Sequence, residues 1–204
     1  MEIIDTEGRD IEVAKKEEEY FNRINLHKFL VMTAFKSIVE NPASNIVVEG
    51  YPIYQYANGT KVSVMNHDNS KFEDLEFYPY RVHWYPTTRE AHLYETDENY
   101  RKETDEAYEA ATYHHVTTNK HHPQFWCIDE ETGEECSPRE MDIHNILEMI
   151  CDWEAMSMEK GGSTKTWWAE NREHKIKKMA PNTIDIVDSI VEQLPDTVHK
   201  PYKE

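Results

Sequence analysis

The chain has 204 residues, of which 38% are apolar, 30% charged and 11% aromatic. This length and aromatic content predict one folded domain over residues 1–204 and exclude a disordered chain. The net charge of −18 would be repelled by nucleic-acid backbones and anionic membranes, so we expect no direct binding to either.

Cysteine usage and the absence of targeting patterns indicate the compartment. The chain has three cysteines, Cys127, Cys136 and Cys151, and so few of them in an odd number indicate free thiols rather than a disulfide framework. The first ten residues carry no secretory pattern, and no apolar run is long enough to span a membrane. We therefore expect a cytoplasmic protein, in the host cytoplasm if a phage encodes it.

The first forty residues predict a polar lead-in followed by a long helix. Residues 1–12 are polar, with a short strand predicted at Ile3-Ile4. Apolar residues then recur at three- and four-residue spacing from about Val13 to Glu40, which is typical of an amphipathic helix. His27 lies inside that apolar stripe, where it is either a core histidine with one hydrogen bond or an inward-facing metal ligand.

The middle of the chain predicts less regular structure. Alternating segments on either side of Asn58-Gly59, within residues 45–65, predict a small β-hairpin. We expect a short helix over residues 72–80, weakened by a proline, and a loop over residues 81–96. Helical spacing returns in residues 97–115.

The C-terminal third predicts three helices. Ser137 is expected to cap a helix that runs to about Glu159 and ends at Gly161-Gly162. Two further helices are expected over residues 164–194. The whole chain thus predicts an all-α bundle of about six helices, with one small β-hairpin before His67.

His67 and Asp68 are the first candidates for chemistry. An imidazole and a carboxylate side by side can both bind one divalent metal ion. Lys71 follows Asp68 by three residues, so on a helix it would face the same way and could bind a substrate anion. The alternative is a surface lysine paired with Glu73 or Asp74.

Two histidine doublets, His114-His115 and His121-His122, lie seven residues apart. Packing does not explain them, because each buried imidazole needs a polar partner. They therefore indicate a metal site, and the alternative is a histidine-rich surface patch.

Asp152 lies in an otherwise apolar helix, next to Met149 and Met156 on the helical wheel. An ionised carboxylate there is costly unless it is paired or binds a metal. The metal is one interpretation. The other is an ion pair with one of three arginines, namely Arg81, Arg101 or Arg172.

The order of these residues resembles a known superfamily. A helical His27, then His67-Asp68-x-x-Lys71, then the doublets, then Asp152 is similar to the pattern of the HD-domain metal-dependent phosphohydrolases. The motifs His-Asp-x-Ser-Lys-Phe, His-His-x-x-x-Asn-x-His-His-Pro-x-x-Trp and Glu-Met-x-Cys-Asp-Trp-x-Ala-Met resemble an uncharacterised group of bacterial and phage proteins associated with that fold. The resemblance covers roughly residues 20–170.

Ser70 stands in place of the glycine of the His-Asp-Ile-Gly-Lys motif of the HD-GYP branch. The chain departs from the pattern at three further points: the Gly-Tyr-Pro motif is absent, Val116 stands where the paired-histidine segment has glutamate, and the hairpin predicted before His67 is an insertion in the usual helical core. Cyclic-dinucleotide hydrolysis is therefore not carried over to this chain.

The resemblance implies an HD-like helical bundle that holds one or two divalent ions (Fe, Mn, Ni, Co, Zn or Mg). It implies one metal held by His27, His67, Asp68 and Asp152. It implies a second metal held by His115 and His122, with His114 and His121 as alternative ligands or as their neighbours.

The resemblance also implies a function for several polar residues near the metal. Lys71 and Asp68 are expected to be catalytic. The expected substrate contacts are Lys71, Asn119, Lys120 and Arg81.

Three functions are compatible with this pattern. The first is hydrolysis of a small phosphorylated substrate such as a nucleotide, by a monomer or a homodimer. The second is oxygenation at a di-iron centre, which some proteins with the HD fold perform. The third is non-enzymatic: an acidic phage-type protein that binds a host factor and keeps its metal for structure.

Overall fold

The computed structural model describes residues 11–129 and 131–202, so the strand expected at Ile3-Ile4 lies outside the described residues. The all-α fold is confirmed: the described residues form eight α-helices and one pair of two-residue strands. In chain order these are α1 (Ile11–Ile38), β1 (Val47–Val48), β2 (Tyr51–Pro52), α2 (Ala57–Asn66), α3 (Asp74–Trp84), α4 (Thr88–Thr96), α5 (Glu98–Thr118), α6 (Ile143–Lys160), α7 (Thr164–Lys175) and α8 (Pro181–Gln193). Within this part of the chain no helix is long and apolar enough to cross a membrane.

The chain divides into two compact units. The first unit consists of the chain up to Leu26 together with Asp68–His115, and the second consists of His27–His67 together with the chain from Val116 onward. Helices α1 and α5 therefore contribute residues to both units. The single domain expected over the whole chain stays a prediction.

The first unit has an aromatic core. Tyr20 of α1 and Tyr80 of α3 are buried together with Ala111 of α5. The Tyr20 ring lies 5.2 Å from that of Phe77 and 5.9 Å from that of Tyr85. Apolar side chains of three helices thus meet in one cluster, which fixes α3 next to α5 within this unit.

The loop predicted over residues 81–96 is wrong, because most of it is helical. Helix α3 continues through Pro79 to Trp84, and α4 follows after three residues. Thr87 and Glu90 form a capping box at the start of α4, in which each side chain hydrogen-bonds to the backbone N–H of the other residue. Thr-x-x-Glu is the sequence signal for this helix start.

The second unit is built around α6. Buried residues occur on every side of this helix, since the run Ile146–Cys151 is buried without interruption. It packs against α2, α7 and α8. A helix that is covered on all sides lies at the centre of its unit, so a charged residue on it needs polar partners inside the protein.

The β-hairpin is present but shorter and earlier than predicted. Val47 pairs with Pro52 and Val48 with Tyr51, and Gly50 in the turn has φ +86°. Asn58-Gly59, the predicted turn, lies instead inside α2, where a Cβ on Gly59 would lie 2.3 Å from the ring of His144. The glycine therefore allows α2 to approach α6 closely, and this tertiary contact outweighs the turn preference of the dipeptide.

The helix boundaries near the C-terminus differ in one place from those expected. Helix α6 begins after Asp142, whose side chain accepts a hydrogen bond of 2.8 Å from the His144 N–H, so the cap predicted at Ser137 is wrong. Its end at Gly161, with φ +83°, is confirmed. Pro181 lies in the first turn of α8, a position that favours proline.

Candidate metal centre

Three side-chain atoms of the second unit that could bind a metal ion lie close to one another. His27 Nε2 lies 3.0 Å from Asp152 Oδ1 and 3.3 Å from His67 Nε2, and His67 Nε2 lies 3.8 Å from Asp152 Oδ1. Both histidines are buried, with exposed fractions of 6% and 1%. Three of the four residues predicted to hold the first metal are therefore together in this unit.

Each of the three residues is placed by a different helix. His27 lies on α1 between the buried Ile24 and Val31, one helical turn from each, as the apolar stripe predicted. His67 follows the last turn of α2, where the Lys28 ammonium donates to its carbonyl oxygen. Asp152 lies on α6. An ammonium near the C-terminus of a helix also interacts favourably with the helix dipole, so Lys28 fixes the end of α2 that carries His67.

The spacing of these atoms fits a transition-metal ion. A circle through the three atoms has a radius of about 2.0 Å, close to the about 2.0–2.2 Å of zinc–nitrogen and zinc–oxygen bonds. Two imidazoles and one carboxylate are also a donor set that suits divalent transition metals. The residues present could therefore bind such an ion.

The electrostatics keep Asp152 ionised. Burial alone would raise the pKa of its carboxyl, but the hydrogen bond with His27 and favourable electrostatic interactions with the nearby imidazoles of His27, His67 and His121 outweigh burial and hold the pKa far below its ordinary range. An ionised carboxylate can accept hydrogen bonds or bind a cation, which is the form that a metal site requires.

Glu148 joins a further histidine to this group. Its Oε1 lies 3.0 Å from His67 Nδ1 and 3.2 Å from His121 Nδ1. Burial opposes ionisation of Glu148, but the hydrogen bonds with His121 and His67 outweigh it and lower the pKa of the carboxyl. Of the second histidine doublet, it is the buried His121 that contacts this carboxylate. That His122 binds a second metal stays a prediction.

The sequence analysis did not single out Glu148, although a signal was present. Glu148 precedes Asp152 by four residues, so both carboxylates lie on one face of α6. Glu148 also lies among apolar residues in the sequence, so burying its carboxylate without a partner would be as costly as burying that of Asp152.

The first unit holds a second group of polar side chains. Lys71 Nζ donates to Asp68 Oδ2 at 2.6 Å, and His115 Nε2 lies 3.3 Å from Asp68 Oδ1. Asp68 has a left-handed backbone, with φ +56°, and a 3₁₀ turn over Asn69–Phe72 follows it. This turn directs Lys71 onto Asp68, and the alternative pairing with Glu73 or Asp74 stays a prediction.

Glu76 lies at the centre of this second group. It is fully buried, its Oε1 lies 2.7 Å from His114 Nδ1, and its Oε2 lies 2.9 Å from His115 Nδ1 and accepts from Ser70 Oγ at 3.0 Å. Serine in place of glycine in the His-Asp motif therefore has a structural role, since it donates to this carboxylate.

The carboxylates of Asp68 and Glu76 also favour the protonated form of His115. Burial alone would lower the pKa of His115, but hydrogen bonds with Asp68 and Glu76 outweigh it and raise that pKa. Burial likewise opposes ionisation of Glu76, yet its hydrogen bonds with His115, His114 and Ser70 leave its pKa lowered. Asp68, Glu76 and His115 thus favour one another's charged forms.

The comparison with protein families gives one match. Residues 16–193 match a family described only as a family of unknown function, DUF5662. The chain belongs to this family. Searches of curated proteins and of solved structures found no match. The DUF5662 match includes every residue that the sequence analysis predicted for the site.

In this DUF5662 protein, two arginines have structural partners. Arg81 donates from both terminal nitrogens to Glu90, the capping residue of α4. Arg172 donates to Asp188. Arg81 therefore anchors a helix start in the structure, and its proposed contact with substrate phosphate gains no support.

The two remaining predicted substrate contacts lie in the turn after α5. The Asn119 carbonyl accepts from the His122 N–H at 3.0 Å, and the Lys120 carbonyl accepts from Trp126 Nε1 at 2.8 Å. The exposed Lys120 ammonium lies 5.6 Å from the ring centre of Phe125. The backbone of this turn orients the second histidine doublet.

Proposed function

We propose that the chain is a metal-dependent phosphohydrolase that acts on a nucleotide or another small phosphate ester. The observation that carries this proposal is the convergence of His27 Nε2, His67 Nε2 and Asp152 Oδ1 within 3.0–3.8 Å of one another. A divalent ion bound there would lower the pKa of a water ligand and polarise a phosphoryl oxygen.

The choice of a hydrolase rests on the order of the motifs. His27, His67-Asp68, the histidine doublets and Asp152 follow the order of the HD-domain phosphohydrolases, and helices carry His27 and Asp152 as that likeness expects. That Asp68 binds the same ion stays a prediction from the sequence.

The chain's own residues are proposed to bind and orient the substrate. The Lys71 ammonium is fixed by Asp68 Oδ2 at 2.6 Å, and 26% of its side chain is exposed. A partly exposed ammonium that is already oriented can bind a phosphate oxygen with little further loss of freedom. Asp68 is proposed to orient Lys71, so that the two act as a pair.

The test is a metal titration together with a phosphatase screen on the same untagged preparation. We expect divalent-metal binding and metal-dependent release of phosphate by wild type, and loss of both in Asp152→Asn. His174→Ala is the matched control, because it removes an exposed histidine. Metal binding without phosphate release from any phosphomonoester or nucleotide in the screen would contradict the hydrolase assignment.

A second candidate function has one observation in its favour. Two imidazoles and one carboxylate are also the donor set of non-haem Fe(II) oxygenases. If iron is the metal that copurifies, and turnover consumes oxygen rather than releasing phosphate, then the oxygenase replaces the hydrolase.

A further inference from the structure

One carboxylate oxygen of the second unit contacts two histidine rings. Glu148 Oε1 lies 3.0 Å from His67 Nδ1 and 3.2 Å from His121 Nδ1, and the centres of the two rings are 4.3 Å apart. All three residues are buried. The contact joins the end of α2, the turn after α5 and the middle of α6.

This geometry restricts where each imidazole carries its proton. An ionised carboxylate is only an acceptor, so each Nδ1 that faces it must be a donor. A neutral ring that carries its proton on Nδ1 has its lone pair on Nε2. Nε2 of His67 is the atom that faces His27 and Asp152.

We propose that Glu148 is a positioning residue that fixes His67 and His121 in the Nδ1–H form and thereby presents the Nε2 lone pair of His67 for metal binding. The inference deepens the proposed function, on which the identity of His67 as a ligand rests. It assigns one buried carboxylate to the orientation of two rings.

The spacing of Glu148 and Asp152 along α6 couples the positions of the two carboxylates. Glu148 and Asp152 are four residues apart and share a face of the helix, so a single rigid element carries the ligand Asp152 and the orienter of His67. A shift of α6 would therefore move both together, which keeps the distances between ligand atoms constant.

The experiment is a long-range ¹H–¹⁵N NMR spectrum of the metal-free full chain at neutral pH, which distinguishes a protonated ring nitrogen from one with a lone pair. In wild type we expect His67 and His121 to carry the proton on Nδ1. In Glu148→Gln we expect at least one of the rings to move to the Nε2–H form. Affinity for Co²⁺ should then fall roughly 10–100-fold.

The matched control is Glu154→Gln. Glu154 lies on the same helix and also contacts a histidine, with Oε1 2.6 Å from His199 Nε2, but it contacts neither His67 nor His121 in the described contacts. We expect this variant to keep the wild-type tautomers of His67 and His121 and the wild-type Co²⁺ affinity.

Two results would overturn the inference. One is an Nε2–H form at either ring in the wild-type chain, which decides the matter even if Glu148→Gln does not fold. The other is a folded Glu148→Gln protein with unchanged tautomers and Co²⁺ affinity. Because the tautomers are measured without metal or substrate, a chain that shows them but hydrolyses no phosphate ester contradicts only the proposed function.

Discussion

Both units contain a buried glutamate that contacts two histidines, but the charged residues next to this arrangement differ. In each unit a buried glutamate contacts two histidines through Nδ1: Glu76 contacts His114 and His115, and Glu148 contacts His67 and His121. In the first unit the next carboxylate, Asp68, is paired with the Lys71 ammonium at 2.6 Å.

In the second unit the corresponding carboxylate, Asp152, meets the imidazoles of His27 and His67. Imidazoles in the Nδ1–H form offer lone pairs, so a cation bound there gains three donors. The same pairing pattern thus places a carboxylate against a cation of the chain in the first unit, and against side chains that could bind a metal ion in the second. The predictions that follow test this difference.

The largest expected effect is the loss of metal binding in His67→Ala. Removing a direct ligand should weaken affinity by more than the roughly 10–100-fold that is typical when an orienting residue is removed, while the helical core remains. Metal content and circular dichroism of the same sample are the measurements. Wild-type metal content would exclude this site, and loss of the fold would mean that the metal is structural.

The next effect concerns the stability of the first unit. Glu76→Ala leaves two imidazoles and a hydroxyl without their buried acceptor, which should cost about 3–5 kcal/mol in the free energy of unfolding. Urea denaturation measures it, and Glu109→Ala on the exposed side of α5 is the control. A loss below about 1 kcal/mol would show that the group around Glu76 does not stabilise the fold.

Lys71→Ala distinguishes a catalytic ammonium from a structural one. We expect full metal content but a loss of roughly a hundredfold in kcat/KM on a phosphorylated substrate, which equals about 2.7 kcal/mol. Lys61→Ala is the matched control, since it removes a more exposed lysine that is also paired, with Glu40 at 2.8 Å. Unchanged kinetics would reduce Lys71 to the counter-ion of Asp68.

The smallest expected effect concerns Asp188, which lies outside both histidine–carboxylate groups. Asp188 accepts from Arg172 and Trp168, and its hydrogen bond with Arg172, the largest influence, lowers its pKa. A carboxyl with a lowered folded pKa stabilises the fold above its unfolded pKa of about 4, and this stabilisation is lost as the pH falls through the folded value.

Asp188→Asn should therefore cost about 0.2–1 kcal/mol at pH 7, because the pair is partly exposed. The difference from wild type should shrink as the pH falls below 4. Denaturation at pH 7, 5 and 3 measures it. A difference that is constant with pH would mean that charge contributes nothing to this pair.

The sequence was most informative where a polar residue interrupts an apolar stripe. His27 and Asp152 were found in this way, because helical periodicity placed each among buried neighbours. Glu76 was missed, since its role depends on which histidines approach it from another element, and single-sequence spacing does not contain that information. Glu148 was missed although its spacing of four residues from Asp152 on an apolar helix was a signal. Ser70 was noticed only as a departure from a motif.

Local propensity failed where tertiary contacts decide. Asn58-Gly59 is a strong turn signal, yet it lies in a helix because Gly59 allows the His144 ring to pack against it.

The loop expected over residues 81–96 overlooked the capping box of Thr87 and Glu90, which was visible in the sequence.

The most direct test of the central claim is anomalous diffraction from crystals grown with Co²⁺ or Mn²⁺. The account predicts an anomalous peak about 2.0–2.3 Å from His27 Nε2, His67 Nε2 and Asp152 Oδ1. The prediction would be contradicted by crystals in which those three side chains hydrogen-bond to one another with no ion between them, while the metal binds elsewhere on the chain.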